Sequence, residues 1–186
     1  MRYFTILMFL LTASIALAQN DVLVGPGYQR DQRSTSRLKF SVPEGWIEDK
    51  KAAEKVGIFS VLLPRGRSLE NSDRVITIAF QKRDPNVPEL ATLDAFFKAD
   101  VENTLHSFPE LEAARWQPKA LDPAKIDFRS LEFFGGKASP HRVVFLAVPD
   151  GFFSVTVTVE PRDALKAPLY ATFFDSLKIG GPEPPN

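Results

Sequence analysis

Two histidines, His106 and His141, are the side chains of this chain that titrate nearest neutral pH. His141 stands immediately ahead of an apolar run, residues 142–148, where an imidazole could act as the general base of a hydrolase. The plainer reading beside it is a surface histidine at a strand edge. His106 falls near the end of a helical stretch. Neither lies in a His-x-x-x-His or His-Glu-x-x-His pattern, the spacings that bring two ring nitrogens to one zinc ion. The chain has no cysteine, which removes thiolate ligands, cysteine nucleophiles and disulfides together. No Gly-x-Ser-x-Gly elbow exists to raise a serine as a nucleophile.

The carboxylates are equally undirected. Asp49, Glu54, Asp73, Asp84 and Asp100 are scattered without the spacing of a calcium loop. A glycosidase pair does not show in spacing, because its two carboxylates can be far apart in the chain. Arg65-Gly66-Arg67-Ser68 offers a grip for an anion, against the simpler reading of a solvated loop. Gly135-Gly136 follows a strand but lacks the further glycine, the lysine and the helix of a phosphate loop, so it reads as a turn. The sequence therefore assigns no catalytic residue, no metal ligand and no cofactor, and it leaves any ligand-binding residue unassigned.

The N-terminus is more informative. Arg2 supplies a positive start, residues 3–17 carry no charge, and Ala16-Leu17-Ala18 before Gln19 is a small-x-small cleavage site. The run falls short of the roughly 20 apolar residues of a spanning helix. The pattern predicts a Sec-type signal cut after Ala18, a periplasmic or extracellular address, and no transmembrane segment once the leader is removed. The 23 basic and 23 acidic residues balance, and loss of Arg2 with the leader leaves a charge of minus one. Such an evenly mixed surface has no electrostatic reason to seek nucleic acid.

The elements that must position these residues follow from pattern. Residues 19–37 read as a polar lead-in, with a short strand at Val22–Val24 and with Arg30, Arg33 and Arg37 available to an acidic partner. Leu38, Phe40 and Val42 alternate as a strand, and Pro43 to Gly45 turn the chain toward Trp46 and Ile47. Residues 49–56 are either a helical turn or a hairpin loop. Residues 58–63 and 74–81 are strands apolar on both faces. Thr92 caps an amphipathic helix with Leu93, Phe96, Phe97, Val101 and Leu105 inward and Lys98, Asp100 and Glu102 among its charged remainder, ending before Pro109.

Residues 109–123 are proline-punctuated, with an edge strand at residues 113–117. Strands at 126–134 and 142–148 follow, and Pro149-Asp150-Gly151 turns the chain into an alternating strand whose Val155, Val157 and Val159 face a core. A last helix spans residues 162–178, with Pro168 marking an alternative start. Phenylalanine is the compositional outlier at sixteen, fourteen after the leader, with doublets at 96–97, 133–134, 152–153 and 173–174. These rings read as core, with a Phe-lined ligand cavity as the sharper alternative. The sum is an α+β domain: an antiparallel sheet flanked by helices on both faces.

Phe40-Ser41-Val42-Pro43-Glu44-Gly45-Trp46 resembles the opening strand-turn of PsbP-like and DcrB-like domains. The stretch from Phe153 to Val159 and then Phe173-Phe174-Asp175-Ser176-Leu177-Lys178-Ile179 is similar to their closing strand and helix. The resemblance spans residues 38–179 and implies one α/β/α sandwich domain there, after a signal at 1–18 and a flexible lead-in at 19–37, and before a disordered tail at 180–186. It also implies a binding role without a shared catalytic motif, so no functional residue carries over. Two functions are weighed. One is an exported, non-catalytic binding domain of the bacterial envelope that engages a protein partner or an apolar ligand. The other is a small secreted hydrolase using His141 or a carboxylate pair.

Overall fold

The computed structural model describes residues 37–119, 121–136 and 139–180. The leader, the Val22–Val24 strand, Arg30, Arg33 and the tail beyond Gly180 lie outside the described residues. Seven strands form one wholly antiparallel sheet: β2 (Trp46–Glu48), β3 (Ser60–Pro64), β4 (Arg74–Lys82), β8 (Gly151–Val159), β7 (His141–Val148), β6 (Phe128–Phe134) and β5 (Glu112–Arg115), in that spatial order. A separate two-stranded ribbon joins β1 (Arg37–Lys39) to β9 (Lys178–Gly180), with Leu38 opposite Ile179. The helices are α1 (Lys50–Val56), α2 (Leu93–Ser107) and α3 (Pro168–Asp175). Short 3-10 turns precede α2 (Pro88–Leu90) and α3 (Arg162–Lys166).

Residues directly opposite across a ladder share a face, so register sorts the core into two layers. The layer under α3 takes Ile76, Ile78 and Phe80 from β4, Phe153, Val155, Val157 and Val159 from β8, and Val144, Leu146 and Val148 from β7. It closes against Trp46, Leu165, Tyr170, Phe173, Phe174 and Leu177. On the opposite face, Phe133, Val143, Phe145 and Phe152 meet Leu93 and Phe96 of α2, while Val61, Leu63 and Val75 meet Ala53 of α1. Helices thus cover both faces of the sheet, as the apolar residues on both faces of 58–63, 74–81 and 142–148 demand. Strand β8 carries this furthest, because Ser154, Thr156 and Thr158 are buried along with its valines.

Local chemistry explains the elements. The Asp49 carboxylate accepts from the Ala52 amide and caps α1, which decides between helix and loop for residues 49–56. Gly57, at φ 71°, ends that helix in the left-handed conformation. The Thr92 hydroxyl accepts from the Ala95 amide at 3.1 Å and starts α2. The β7–β8 hairpin is present, but its loop is Pro149-Asp150 and Gly151 already opens β8 opposite Val148. Glycine is required there by crowding: a Cβ would stand 2.2 Å from the Gln81 carbonyl and 2.7 Å from the Phe80 ring.

Two expectations are corrected. The helix expected at residues 162–178 is interrupted, with Ala167 extended at ψ 135°, and α3 takes the alternative start at Pro168. Proline has no N–H to continue a helix and pushes the preceding residue out of the α region. The helix stops at Asp175, short of the expected 178, and Lys178–Gly180 is a strand paired with β1. The strand expected through Phe40 and Val42 stops at Lys39; Phe40 turns in against Phe173 at 6.2 Å, and Val42 is 40% exposed.

One ionic node ties the α3 side to the sheet. Glu132 of β6 accepts from Arg142 Nε at 2.8 Å and pairs with Arg162 Nη2 at 2.9 Å. Arg142 also donates to the Leu165 carbonyl at 2.7 Å and lies 4.9 Å over the Trp116 ring. Burial pushes the Glu132 carboxyl up, and the bonds from the two arginines outweigh it, holding it below the usual range. The Glu132 and Arg142 side chains are only 12% and 16% exposed, so cutting the pair strands a largely desolvated guanidinium. Glu132→Ala is expected to cost about 3 kcal/mol in urea unfolding; a loss near zero would show the node to be dispensable.

Candidate functional site

His141 opens β7, between Phe133 of β6 and Thr158 of β8. Because β7 is an inner strand, the residue is not at an exposed edge: it is 5% exposed, which corrects the surface reading. Its ring stacks on Phe133 at 4.9 Å, and Nδ1 lies 3.0 Å from the Ser139 carbonyl. Burial holds the imidazole below its usual pKa against the opposing pull of that carbonyl. None of its described hydrogen bonds joins it to a carboxylate or a hydroxyl, so the geometry of an activated nucleophile is not formed around it. His106 is exposed near the end of α2.

The other sequence candidates disperse. Arg65 and Arg67 are exposed in the β3–β4 loop, where the Ser68 amide donates to Asn71 Oδ1 at 2.8 Å. Beyond them Glu70 pairs with Lys55 at 3.0 Å. Its carboxyl is drawn down to about 2 by hydrogen bonds from the Ser68 side chain, its own backbone amide and Lys55. Gly135 and Gly136, at φ 96° and 60°, are the expected turn. Asp49 caps a helix, Asp73 pairs with Arg74 at 3.4 Å, and Asp84 accepts from the Asn86 amide at 3.0 Å. Among the described residues no group of three or more His, Asp or Glu is placed to hold a metal ion.

What the structure does assemble is a polar row inside the α2 face. Register aligns Thr77 of β4 with Thr156 of β8, and the same face carries Ser154 and Thr158. All four are buried, on the face where α2 packs against β6 and β7. The buried residues of α2 are Leu93, Phe96, Asp100 and Thr104. Asp100 is 2% exposed, and its Oδ1 has no hydrogen-bond partner. Burial alone pushes its carboxyl up to about 7.

Comparison with known proteins bears on the fold. No family model matches the chain, and no curated protein matches it in sequence. Among solved structures it is similar to cyanobacterial PsbP (CyanoP) from Synechocystis sp. PCC 6803. That likeness has a TM-score of 0.50 at 12% identity, over 87% of this chain and 98% of that one. The fold is PsbP-like. LpqN, involved in cell envelope biogenesis of Mycobacterium tuberculosis, is similar at a TM-score of 0.47 and 12% identity, over 80% of this chain and 86% of LpqN. Among the described residues of this PsbP-like domain, no helix is long and apolar enough to cross a membrane.

Asp100 is the residue that sequence reasoning misplaced. It belongs to the buried stripe of α2, not to its charged remainder. The signal was present: at about 100° per residue, Asp100 lies seven positions after Leu93 and nearly in line with it.

The direction of the His141 shift sets a pH dependence. Its folded pKa lies below the unfolded 6.5, so the folded state binds fewer protons. The stabilisation is complete above pH 6.5 and is lost as pH falls from there toward the folded value. His141→Phe keeps an aromatic ring in place and removes the titration. Its urea midpoint is expected to fall less than that of the native chain between pH 6.5 and 4.5; parallel curves would show that His141 does not titrate on unfolding.

Proposed function

We propose that the protein is exported through residues 1–18, cut after Ala18, and that residues 38–179 act as a non-catalytic binding domain of the bacterial envelope, engaging a protein partner or an apolar ligand. The leader's charge pattern supports the address, and the PsbP-like fold supports a compact domain after it. The observation that carries the binding reading is an asymmetry between the two edges of the sheet. The exposed large hydrophobics among the described residues are Val42, Ile47 and Phe59, at 40%, 38% and 46% exposure. Ile47 lies on the edge strand β2 and Val42 ahead of it, while Phe59 precedes β3, the next strand inward. The opposite edge, β5, reads Glu-Ala-Ala-Arg.

Phe59 is the natural anchor. Its ring packs edge-to-face on Phe153 at 5.4 Å, and Phe153 in turn meets Phe80 at 5.0 Å, so a half-exposed ring continues a buried aromatic stack outward. Rings presented rigidly in this way dominate binding energy at interfaces. A hydrolase built on His141 has no such support, because that ring is spent in the core. Glu132, the most enclosed of the paired carboxylates, is occupied by two arginines.

The test places a photo-crosslinking phenylalanine analogue at position 59 and, in parallel, at position 112 on the β5 edge, in the envelope of the producing cell. A discrete protein or lipid adduct is expected from position 59 and not from 112, and Phe59→Ser should weaken binding of the captured species about tenfold. Equal labelling at both edges, or an unchanged affinity, would remove the assignment of this edge.

A further inference from the structure

The sheet face that carries α1 and α2 is covered unevenly. Helix α1 packs on β3, and α2 packs on β6 and β7, so the two central strands between them, β4 and β8, have no helix laid along them. On this face those strands carry Thr77, Ser154, Thr156 and Thr158, all buried, with His141 of β7 opposite Thr158. One wall of the slot above them is the side of α2. Val101 and Leu105 pack against the apolar cluster of Phe133, Val143 and Phe145, whereas Phe96 stacks on Phe152 of β8 at 5.1 Å. Asp100 and Thr104 follow Phe96 by one and two turns on that same line. Helix α2 starts where Asp94 bonds Arg129, and the chain leaving it pairs Glu112 with Phe134 at the other end of β6. It therefore runs beside β8 in the same direction. Four helical residues rise about 6 Å and two strand residues about 6.7 Å, which sets Asp100 and Thr104 along the row from Ser154 to Thr158.

This slot is polar and without internal partners. Asp100 Oδ1 is sealed from water and has no hydrogen bond. Among the described residues the four hydroxyls are also unbonded but are not sealed, so they border a space that admits a group the size of water. No positive side chain shares it. On α2, Lys98 is exposed and pairs with Glu102 at 3.8 Å, and His106 is exposed. On β6, Arg129 is committed to Asp94 and Asp127, and on β7 burial holds His141 toward its neutral form. On α1, Lys50 and Lys51 are exposed and Lys55 pairs with Glu70. On β3 the same face is apolar, with Val61 and Leu63. An unpaired carboxylate beside acceptor oxygens is the complement of a cation that carries N–H donors. A hard metal ion is a poorer match, because the strand carbonyls are committed to the ladder and the hydroxyls alone fall short of roughly six to eight oxygens.

We propose that the slot between α1 and α2 binds an ammonium group, either the free ion or the head of a primary amine, donating to the Asp100 carboxylate and to the hydroxyls of Thr77, Ser154 and Thr156. The site is separate from the β2 edge and does not rest on that reading. The bound cation needs the ionised acid, so binding releases the Asp100 proton to solvent and breaks no other bond. With the unliganded acid pushed up to about 7, apparent affinity falls about tenfold per pH unit below 7 and levels above it.

The experiment follows the Asp100 Cγ resonance of the whole chain from pH 5 to 8 in four salts at equal ionic strength: ammonium, methylammonium, potassium and tetramethylammonium chloride. The midpoint is expected near 7 in tetramethylammonium, which has no N–H. It is expected to fall by about one unit for each tenfold excess of ammonium or methylammonium over its Kd. A response to methylammonium supports the amine head, and a response to ammonium alone supports the free ion. A midpoint that neither cation moves, or that potassium moves as far, overturns the proposal. Thermal melts at pH 8 give a second reading. Ammonium is expected to raise the Tm of the native chain, to leave that of Asp100→Asn unchanged, and to bind Thr156→Val about fivefold more weakly. An equal rise in all three overturns the site.

Discussion

The fold depends on the burial of β8 from both sides. All nine of its residues are inside, and nine consecutive pairs tie it to β4 while eight tie it to β7. A central strand whose backbone bonds are satisfied by neighbours still has two faces to shield from water. Each must be covered by a separate layer, which is why helices appear on both sides of the sheet. On one face the covering is apolar throughout, valines and phenylalanines against α3. On the other, the strand offers serine and threonine, and the covering is mixed.

The two buried acidic sites show what that difference means. Glu132 lies close to two guanidiniums, and its pairing with Arg142 and Arg162 links β6 and β7 to the 3-10 turn that leads into α3. Asp100 is deeper and has no such partner. The first is an ionic joint that holds a covering element to the sheet; the second is an acid that burial alone pushes toward its protonated form. Both residues sit between the sheet and a helical layer, so opposite electrostatic outcomes arise from the same architectural position.

Much of this was legible beforehand. The cap at Thr92, the two-sided strands β3, β4 and β7, the Gly135-Gly136 turn and the β7–β8 hairpin all follow from short-range chemistry, whereas residues 49–56 stood open between helix and loop until Asp49 was seen to cap α1. The site was less legible. His141 looked like an edge residue because nothing in residues 142–148 says which strands will flank them. Asp100 looked like part of a solvated face because a carboxylate is rarely buried without a partner. In each case the deciding factor was a neighbour distant in sequence: Phe133 and Thr158 for the imidazole, the sheet surface for the acid. Gly151 is the intermediate case, since its place in a hairpin was readable but the crowding by Phe80 and Gln81 that requires it was not.

By itself the sequence carried the N-terminal charge pattern on which the proposed address rests, the α+β class and the order of the elements. It also excluded thiol chemistry, for want of cysteine, and offered no metal-binding spacing. These rest on local properties: periodicity, capping, charge and composition act over a few residues. Only the tertiary structure decided which histidine is buried, that the buried Asp100 lacks a partner, and that Phe59 and Ile47 are left partly in water. Those outcomes depend on strand order and register, which bring residues far apart in the chain to one face, and no local pattern encodes which face that will be.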